Sequence, residues 1–425
     1  MKEITSSVLS EKYYEIDHVS GLKVLVYPMQ GYTSAYAAFA TKYGSIDTCF
    51  RLKGEAEFTA VPEGIAHFLE HKLFESEELD AFERYAKTGA SANAYTSFDK
   101  TCYLFSCSDH FEDNLEILLD FVTHPYFTKE TVEKEQGIIG QEITMYYDEP
   151  GWMATFNLLR CLYKNHPVRI DIAGTCDSIA QITDKLLYSC YNTFYNLSNM
   201  VLAVAGNVTP EQVLGVCDRV LKKAEPIEIE RSFTDEPDEI VSPTDTYYLS
   251  VGVPVFALGY KEVCETPEAS LAEIVQTNII LEALAGKTSP LYNELLESGL
   301  LNQSFSYEYF TGFGYRACIF DGESPDPARV AEKLRAAAAA LKEGGLSEDA
   351  FETARRSLYG REIMEYNEVD SVANAMMSAY FAGYSIFDVL QAFKKVTLDQ
   401  VNARLQTILR DDHAALSVVK EKENV

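Results

Sequence analysis

Residues 62–74 read Pro-Glu-Gly-Ile-Ala-His-Phe-Leu-Glu-His-Lys-Leu-Phe, and they decide how the rest of the chain is interpreted. The apolar spacing, with a proline near the start, predicts a helix over about 62–75. Positions i, i+3 and i+4 share one face of a helix, so His67, Glu70 and His71 point the same way. Two imidazoles at this spacing can bind one zinc ion, and a carboxylate beside them can act as a general base. The stretch therefore predicts a hydrolytic zinc centre.

A second predicted helix, over about 128–147, offers candidates for the third zinc ligand. Glu135 and Glu142 lie two helical turns apart and share a face. Glu142 stands between Ile139 and Ile143, which indicates partial burial, and a buried carboxylate is costly unless it is paired or bound to a metal. The alternative is a solvated acidic stripe, since this helix carries several other glutamates.

The chain reads as two halves that contain a similar mixture of strands and helices. A hairpin is predicted over 93–105, with its turn at Asp99 and Lys100. An acidic, proline-containing stretch predicts a linker at 223–243. We therefore expect a domain over 1–222 and a second domain over 244–425.

The composition describes a folded protein with an acidic surface. Of the 425 residues, 47% are hydrophobic, and the formal net charge is −29. This charge argues against nucleic acid or an anionic membrane as a partner, because both are bound by clustered Lys and Arg. No apolar run reaches the roughly 18 to 20 residues of a membrane-spanning helix, and no secretory signal begins the sequence. The nine cysteines show no close pairing, with Cys102 and Cys107 in a predicted strand, so we expect a cytoplasmic protein with reduced thiols.

These motifs together resemble the insulinase/pitrilysin family of zinc metallopeptidases, the inverzincins. The likeness rests on 62–74, 93–97, 135–142 and the strand-like stretch 199–208, and it spans most of the chain. The length and two-half layout are similar to those of short members such as mitochondrial processing peptidase subunits and their bacterial relatives. The implied fold is α+β, with two homologous domains, each a mostly antiparallel β-sheet with helices packed on one face.

The resemblance also implies a role for each matching residue. His67, His71 and Glu142 match the ligands of Zn2+, and Glu70 matches the general base. Glu135 matches a carboxylate near the site, which we interpret as orienting a ligand.

The hairpin strand matches the edge on which an extended peptide lies as an added strand. Its residues are Asn93, Ala94, Tyr95 and Thr96. The implied activity is that of a zinc-dependent endopeptidase that cleaves short or unfolded peptides. A non-catalytic peptide-binding or scaffold subunit of the same fold is the alternative.

One segment departs from the family pattern. Members commonly carry an Arg and a Tyr in the second domain that face a zinc site, whereas Leu296 and Asn302 stand at those places here. Tyr315 and Arg316 lie nearby at a different spacing and are the local alternative. We therefore expect a homologous subunit to supply the Arg and Tyr, in a heterodimer or a self-dimer that encloses a reaction chamber.

Overall fold

The computed structural model describes residues 1–77 and 79–422, in which helices and strands alternate. The strands are β1 (Lys2–Thr5), β2 (Lys12–Asp17), β3 (Lys23–Pro28), β4 (Ala35–Thr41), β5 (Cys49–Leu52), β6 (Thr59–Ala60), β7 (Ser91–Thr96), β8 (Thr101–Cys107), β9 (Met200–Gly206), β10 (Ile229–Arg231), β11 (Thr244–Tyr248), β12 (Val255–Lys261), β13 (Ser306–Gly312), β14 (Tyr315–Glu323) and β15 (Ala414–Lys420). The helices are α1 (Ile65–Leu73), α2 (Ala81–Thr88), α3 (Phe111–Thr123), α4 (Lys129–Tyr147), α5 (Pro150–Leu162), α6 (Cys176–Ile179), α7 (Asp184–Phe194), α8 (Pro210–Val220), α9 (Leu271–Ala285), α10 (Pro290–Glu297), α11 (Pro327–Gly344), α12 (Glu348–Glu365), α13 (Val369–Phe381), α14 (Ile386–Lys395) and α15 (Leu398–Leu405). The predicted α+β class is confirmed.

The chain divides into two compact units that interleave along the sequence. The first unit comprises Met1–Ile143, Asp171–Phe233 and Ile363–Asp388. The second comprises Thr144–Ile170, Thr234–Glu362 and the chain from Val389 onward.

In the first unit, a seven-stranded sheet has helices on both faces. Its strand order is β1-β2-β3-β9-β4-β8-β7, and β3 and β9 are its parallel pair. Successive side chains of a strand point to opposite faces. Tyr103 of β8 contacts Phe121 of α3, while its neighbour Cys102 packs in the cluster under α13. Helices therefore cover one face as predicted, and α13 covers the other.

In the second unit, a five-stranded sheet has the order β11-β15-β12-β14-β13, with β11 and β15 parallel. α9, α11 and α15 pack on one face, around Leu258 and Phe320. α5 packs on the opposite face, at Gly259. A Cβ at that position would lie 2.9 Å from side-chain carbons of both Leu158 and Leu162. Any larger residue at 259 would therefore have to displace these two side chains of α5.

A buried carboxylate joins three elements of the second unit. Glu282 of α9 is 3% exposed. It accepts hydrogen bonds from the Tyr307 hydroxyl on β13 and from Ser357 and Arg361 on α12. A buried carboxylate needs an opposite charge or hydrogen bonds to offset its desolvation. Here the Arg361 guanidinium provides the opposite charge.

The two sheets repeat one plan. The strand orders β3-β9-β4-β8-β7 and β11-β15-β12-β14-β13 correspond position by position, with the parallel pair first in both. α1 and α9 each precede the hairpin of the two outer strands, and a pair of helices follows it, α3 and α4 or α11 and α12. The predicted pair of homologous domains is therefore confirmed.

The compact units differ from the sequential division into 1–222 and 244–425. α5 lies in the first half of the sequence but packs on the second sheet, and α13 does the reverse. The predicted linker, 223–243, also contains β10, which pairs with β5, and Arg231 at the end of β10 binds Asp47 at 2.5 Å. Residues 229–231 are therefore held to the first unit by specific bonds.

All nine cysteines are free thiols, and Cys102 and Cys107 both lie in β8 as predicted. Within the described residues, no helix combines the length and the apolar character needed to cross a membrane.

His166, in the second unit, is a buried histidine whose tautomer is fixed by its neighbours. The ring is 2% exposed. Nδ1 accepts a hydrogen bond from the Val168 amide at 3.1 Å, so the proton resides on Nε2, which donates to the Phe313 carbonyl at 3.0 Å. Burial lowers the pKa of His166 from 6.5 to about 4.

We expect His166 to make the free energy of unfolding fall as the pH is lowered from about 7.5 to about 5. Because the folded-state pKa lies below the unfolded value, this stabilisation is present above the unfolded pKa and is lost toward the folded one, about 2 kcal/mol over that interval. Urea unfolding of His166→Asn, whose amide oxygen can replace Nδ1 as acceptor, should show a smaller loss than wild type. His124→Asn, at a side chain that is 55% exposed, is the control. Equal losses in wild type and His166→Asn would contradict the prediction.

Candidate active site

α1 begins at a glycine that packs tightly against a neighbouring loop. The helix starts at Ile65, so Pro62 precedes it, whereas the predicted helix began at about residue 62. Gly64 has φ 84°, and a Cβ there would lie 2.3 Å from the Ala173 carbonyl oxygen. Only glycine combines this left-handed conformation with so close an approach. The start of α1 is thereby fixed within the first unit.

The structure brings His67, His71 and Glu142 together. One ligand atom from each lies within 4.8 Å of the others. Glu142 Oε1 is 3.7 Å from His67 Nε2, and Glu142 Oε2 is 3.4 Å from His71 Nε2. Ligands bound tetrahedrally at about 2.0 to 2.1 Å from zinc lie roughly 3.3 Å apart, so these separations suit one shared ion. Among the described residues, no other group of His, Cys, Asp and Glu side chains converges in this way.

The fit to zinc is supported by the state of the His67 imidazole. Burial, followed by repulsion from His71, lowers the pKa of His67 to about 4, so this ring is neutral as a metal ligand must be. His67 Nδ1 has no hydrogen-bond partner.

Glu135 holds the second imidazole. Its Oε1 lies 3.1 Å from His71 Nδ1, which leaves Nε2 directed at Glu142. Burial opposes charge on both groups, but their mutual hydrogen bond and the neighbouring charges together outweigh it, so the pKa of His71 is raised and the pKa of Glu135 is lowered. The position of Glu135 is the one expected of a carboxylate that orients a ligand.

Glu70 lies beside the three ligands with one oxygen already bound. The residue is 8% exposed, and its Oε2 accepts a hydrogen bond from Thr96 Oγ1 at 2.8 Å. Burial raises the pKa of Glu70 above its ordinary value, although the Thr96 hydroxyl opposes the shift. An elevated pKa is suited to a general base that works near neutral pH.

The strand β7 lies at the edge of its sheet. In the described chain it pairs with β8 alone, so its other side presents backbone groups for an added strand. The amide of Ala94 is bound by the Asn93 side chain at 2.9 Å, and the Tyr95 hydroxyl lies 3.5 Å from Asn374. Of the four residues predicted to bind substrate, Thr96 directs its side chain to Glu70, a contact that the sequence did not indicate.

Comparison with known proteins identifies the family. Residues 58–176 match the model described as Insulinase (Peptidase family M16), and residues 181–358 match Peptidase M16 inactive domain. The uncharacterized zinc protease YmfH of Bacillus subtilis is 40% identical over 428 residues, which cover 99% of this chain and 100% of that protein. The chain belongs to the M16 peptidase family.

Solved structures share the fold over nearly the whole chain. An M16-like peptidase from Alicyclobacillus acidocaldarius superposes with a TM-score of 0.93 at 36% identity, over 99% of this chain and 100% of that one. A protease from Helicobacter pylori has a TM-score of 0.81 at 19% identity, over 96% and 99% of the two chains. At 19% identity, the comparison with the Helicobacter pylori protease shows a shared fold alone.

The second unit does not present the Arg and Tyr expected of an M16 peptidase. Leu296 lies on α10, and Asn302 donates to Glu323 at 2.6 Å. Arg316 is 1% exposed, and its guanidinium binds Glu273 at 3.2 Å and the Thr266 hydroxyl at 2.9 Å. Because Arg316 is held by internal partners, it is unsuited to act as a local replacement.

Tyr315 is also buried, at 3% exposure, and its ring contacts His166 and Phe310. Neither member of the pair considered as a substitute is therefore accessible.

Proposed function

We propose that this chain is a zinc-dependent endopeptidase whose metal is held by His67, His71 and Glu142. The observation that carries the proposal is the convergence of these three side chains beside Glu70. The relatives named as zinc proteases support it. Zinc at this position would polarise the scissile carbonyl and make the attacking water more acidic.

Glu70 performs the proton transfers in this proposal. Its Oε2 is held by Thr96, so Oε1 is the oxygen left to accept the proton of the attacking water. The carboxylic acid then passes this proton to the leaving amine, which completes cleavage of the peptide bond.

The proposed substrates are short or unfolded peptides. The edge strand β7 carries Thr96, so a peptide added alongside β7 would run past Glu70. Pairing through main-chain hydrogen bonds selects an extended backbone more strongly than a particular side chain. A folded protein offers few free extended segments, which favours unfolded chains.

A homologous subunit completes the site in this proposal, either in a heterodimer or in a self-dimer. It would supply the Arg and Tyr that Leu296 and Asn302 replace here. The burial of Arg316 supports an outside source for the positive charge.

The first test is the metal content of purified protein. Wild type should bind about one zinc ion, and His67→Ala, His71→Ala and Glu142→Gln should each lose it because each removes a ligand. Glu135→Gln should keep the ion with lower affinity, by about 10 to 100-fold, since it only orients His71. Retention of zinc by all three ligand variants would refute the site. Loss in Glu135→Gln with full retention in Glu142→Gln would assign the third ligand to Glu135.

A cleavage assay separates the peptidase from the alternatives. A fluorogenic unfolded peptide should be cleaved in the presence of the partner, and a chelator should abolish cleavage. A protein that binds zinc and peptide without cleavage under these conditions would be a peptide-binding subunit. One that binds neither would be a scaffold.

A further inference from the structure

A lysine with no exposed surface lies directly beside the proposed metal ligands. Lys72 follows His71 on α1 and is 0% exposed. Its ammonium group donates to the Glu75 carboxylate and to the Thr131 carbonyl, the latter at 3.3 Å. Lysine is almost never fully buried unless it is paired, because its charge is costly to desolvate. The helix propensity of lysine therefore does not explain why Lys72 is buried here.

The contact to Thr131 joins the two helices that carry the metal ligands. Thr131 lies in the first turn of α4, one helical turn before Glu135. The neighbouring residue on α1, His71, binds Glu135 itself at 3.1 Å. Two adjacent residues of α1 thus hold two successive turns of α4, one through a side chain and one through a backbone carbonyl.

We propose that Lys72 is a positioning residue that fixes α1 relative to α4, so that histidines from one helix and Glu142 from the other converge on one ion. The inference rests on the proposed function. A site built from two helices loses affinity when either one shifts, because ligands must hold their geometry to within a fraction of an ångström. The backbone contact places α4 without occupying any of the carboxylates that serve the metal.

A simpler role would be pairing with Glu75 at the end of α1, where a positive charge favours the helix dipole. The two roles differ in what they predict. If Lys72 only pairs with Glu75, neutralising Glu75 should lower the stability as much as replacing Lys72 does. A positioning role affects zinc affinity and survives that change, since the contact to Thr131 does not involve Glu75.

The test compares zinc affinity, measured by competition with a chromophoric chelator, with the free energy of unfolding of metal-free protein. Lys72→Met keeps the apolar stem and removes both donor and charge, and it should weaken zinc binding by about 10 to 100-fold, as loss of ligand-orienting groups does. The free energy of unfolding of the metal-free variant should not fall in proportion to the loss of zinc affinity, because replacement of a buried charge by an apolar group is often tolerated. Glu75→Gln should keep near-normal affinity.

Two further variants keep the result decisive. Lys129→Met makes the same change at the start of α4, on a side chain that is 83% exposed, and should leave zinc affinity unchanged. Lys72→Gln keeps a donor group, and its zinc affinity should lie between those of wild type and Lys72→Met. This variant also allows the test to be made if Lys72→Met folds poorly. Wild-type affinity in Lys72→Met, or a Gln variant no better than the Met variant, would overturn the inference alone. Failure of wild type to bind zinc would overturn the proposed function and this inference with it.

Discussion

Replacing Glu70 with glutamine is expected to reduce peptide turnover by about 10² to 10⁴-fold while zinc content and fold are retained. The amide cannot take a proton from the attacking water, but it keeps the size of the carboxylate and can still interact with Thr96. Because Glu70 lies beside the ligands and is not one of them, the metal should remain bound. Single-turnover measurements on a fluorogenic peptide, with metal analysis of the same sample, check both halves of the expectation.

The control for this experiment is Glu133→Gln. Glu133 lies on α4, where its side chain is 62% exposed and pairs with Lys129. The same chemical change there should leave turnover near the wild-type value. Near-normal turnover in Glu70→Gln would remove Glu70 from the role of general base and direct attention to Glu135, the other buried carboxylate of the site.

The isolated chain is expected to be a poor peptidase that a homologous subunit activates. Leu296 and Asn302 offer neither a positive charge nor a phenol to the developing oxyanion. Removal of one such donor typically costs about 10² to 10³ in rate, so activation by at least that factor should follow addition of the partner. The assay compares the chain alone, the chain with partner, and the chain with a partner whose Arg and Tyr have been replaced.

Restoring the missing groups within this chain separates the two sources of activation. Leu296→Arg with Asn302→Tyr should not raise the activity of the chain alone if the groups come from another subunit. Full activity of wild type alone at high dilution would contradict dependence on a partner. In that case Arg316→Lys and Tyr315→Phe would become the informative variants, despite their burial.

The sequence predicted that the candidate zinc residues of α1 lie together because their geometry is local. His67, Glu70 and His71 lie within one and a half turns of one helix, so the helical period alone brings them together. The packing of α5 on the second sheet and of α13 on the first could not be predicted in the same way. An apolar helix face shows that a helix is covered, but it does not identify which of two similar sheets covers it.

Two contacts near the site could not be predicted from the sequence either, for different reasons. The bond from Thr96 to Glu70 depends on which face of β7 meets α1, and a shift of one residue in register would reverse it. Lys72 stands in an apolar context, but lysine is so commonly exposed that its full burial shows only in three dimensions.

The ion pair between the buried Glu282 and Arg361, whose side chain is 56% exposed, has a consequence for how the protein responds to metal supply. These residues come from α9 and α12, which occupy in the repeated plan the places of α1 and α4. The second unit therefore carries a covalently attached positive charge between the two helices that correspond to those proposed to hold zinc in the first. During zinc starvation the two units should behave unequally, if the proposed site is right: the first would lose its counter-charge, whereas the second keeps its own at any concentration of the metal.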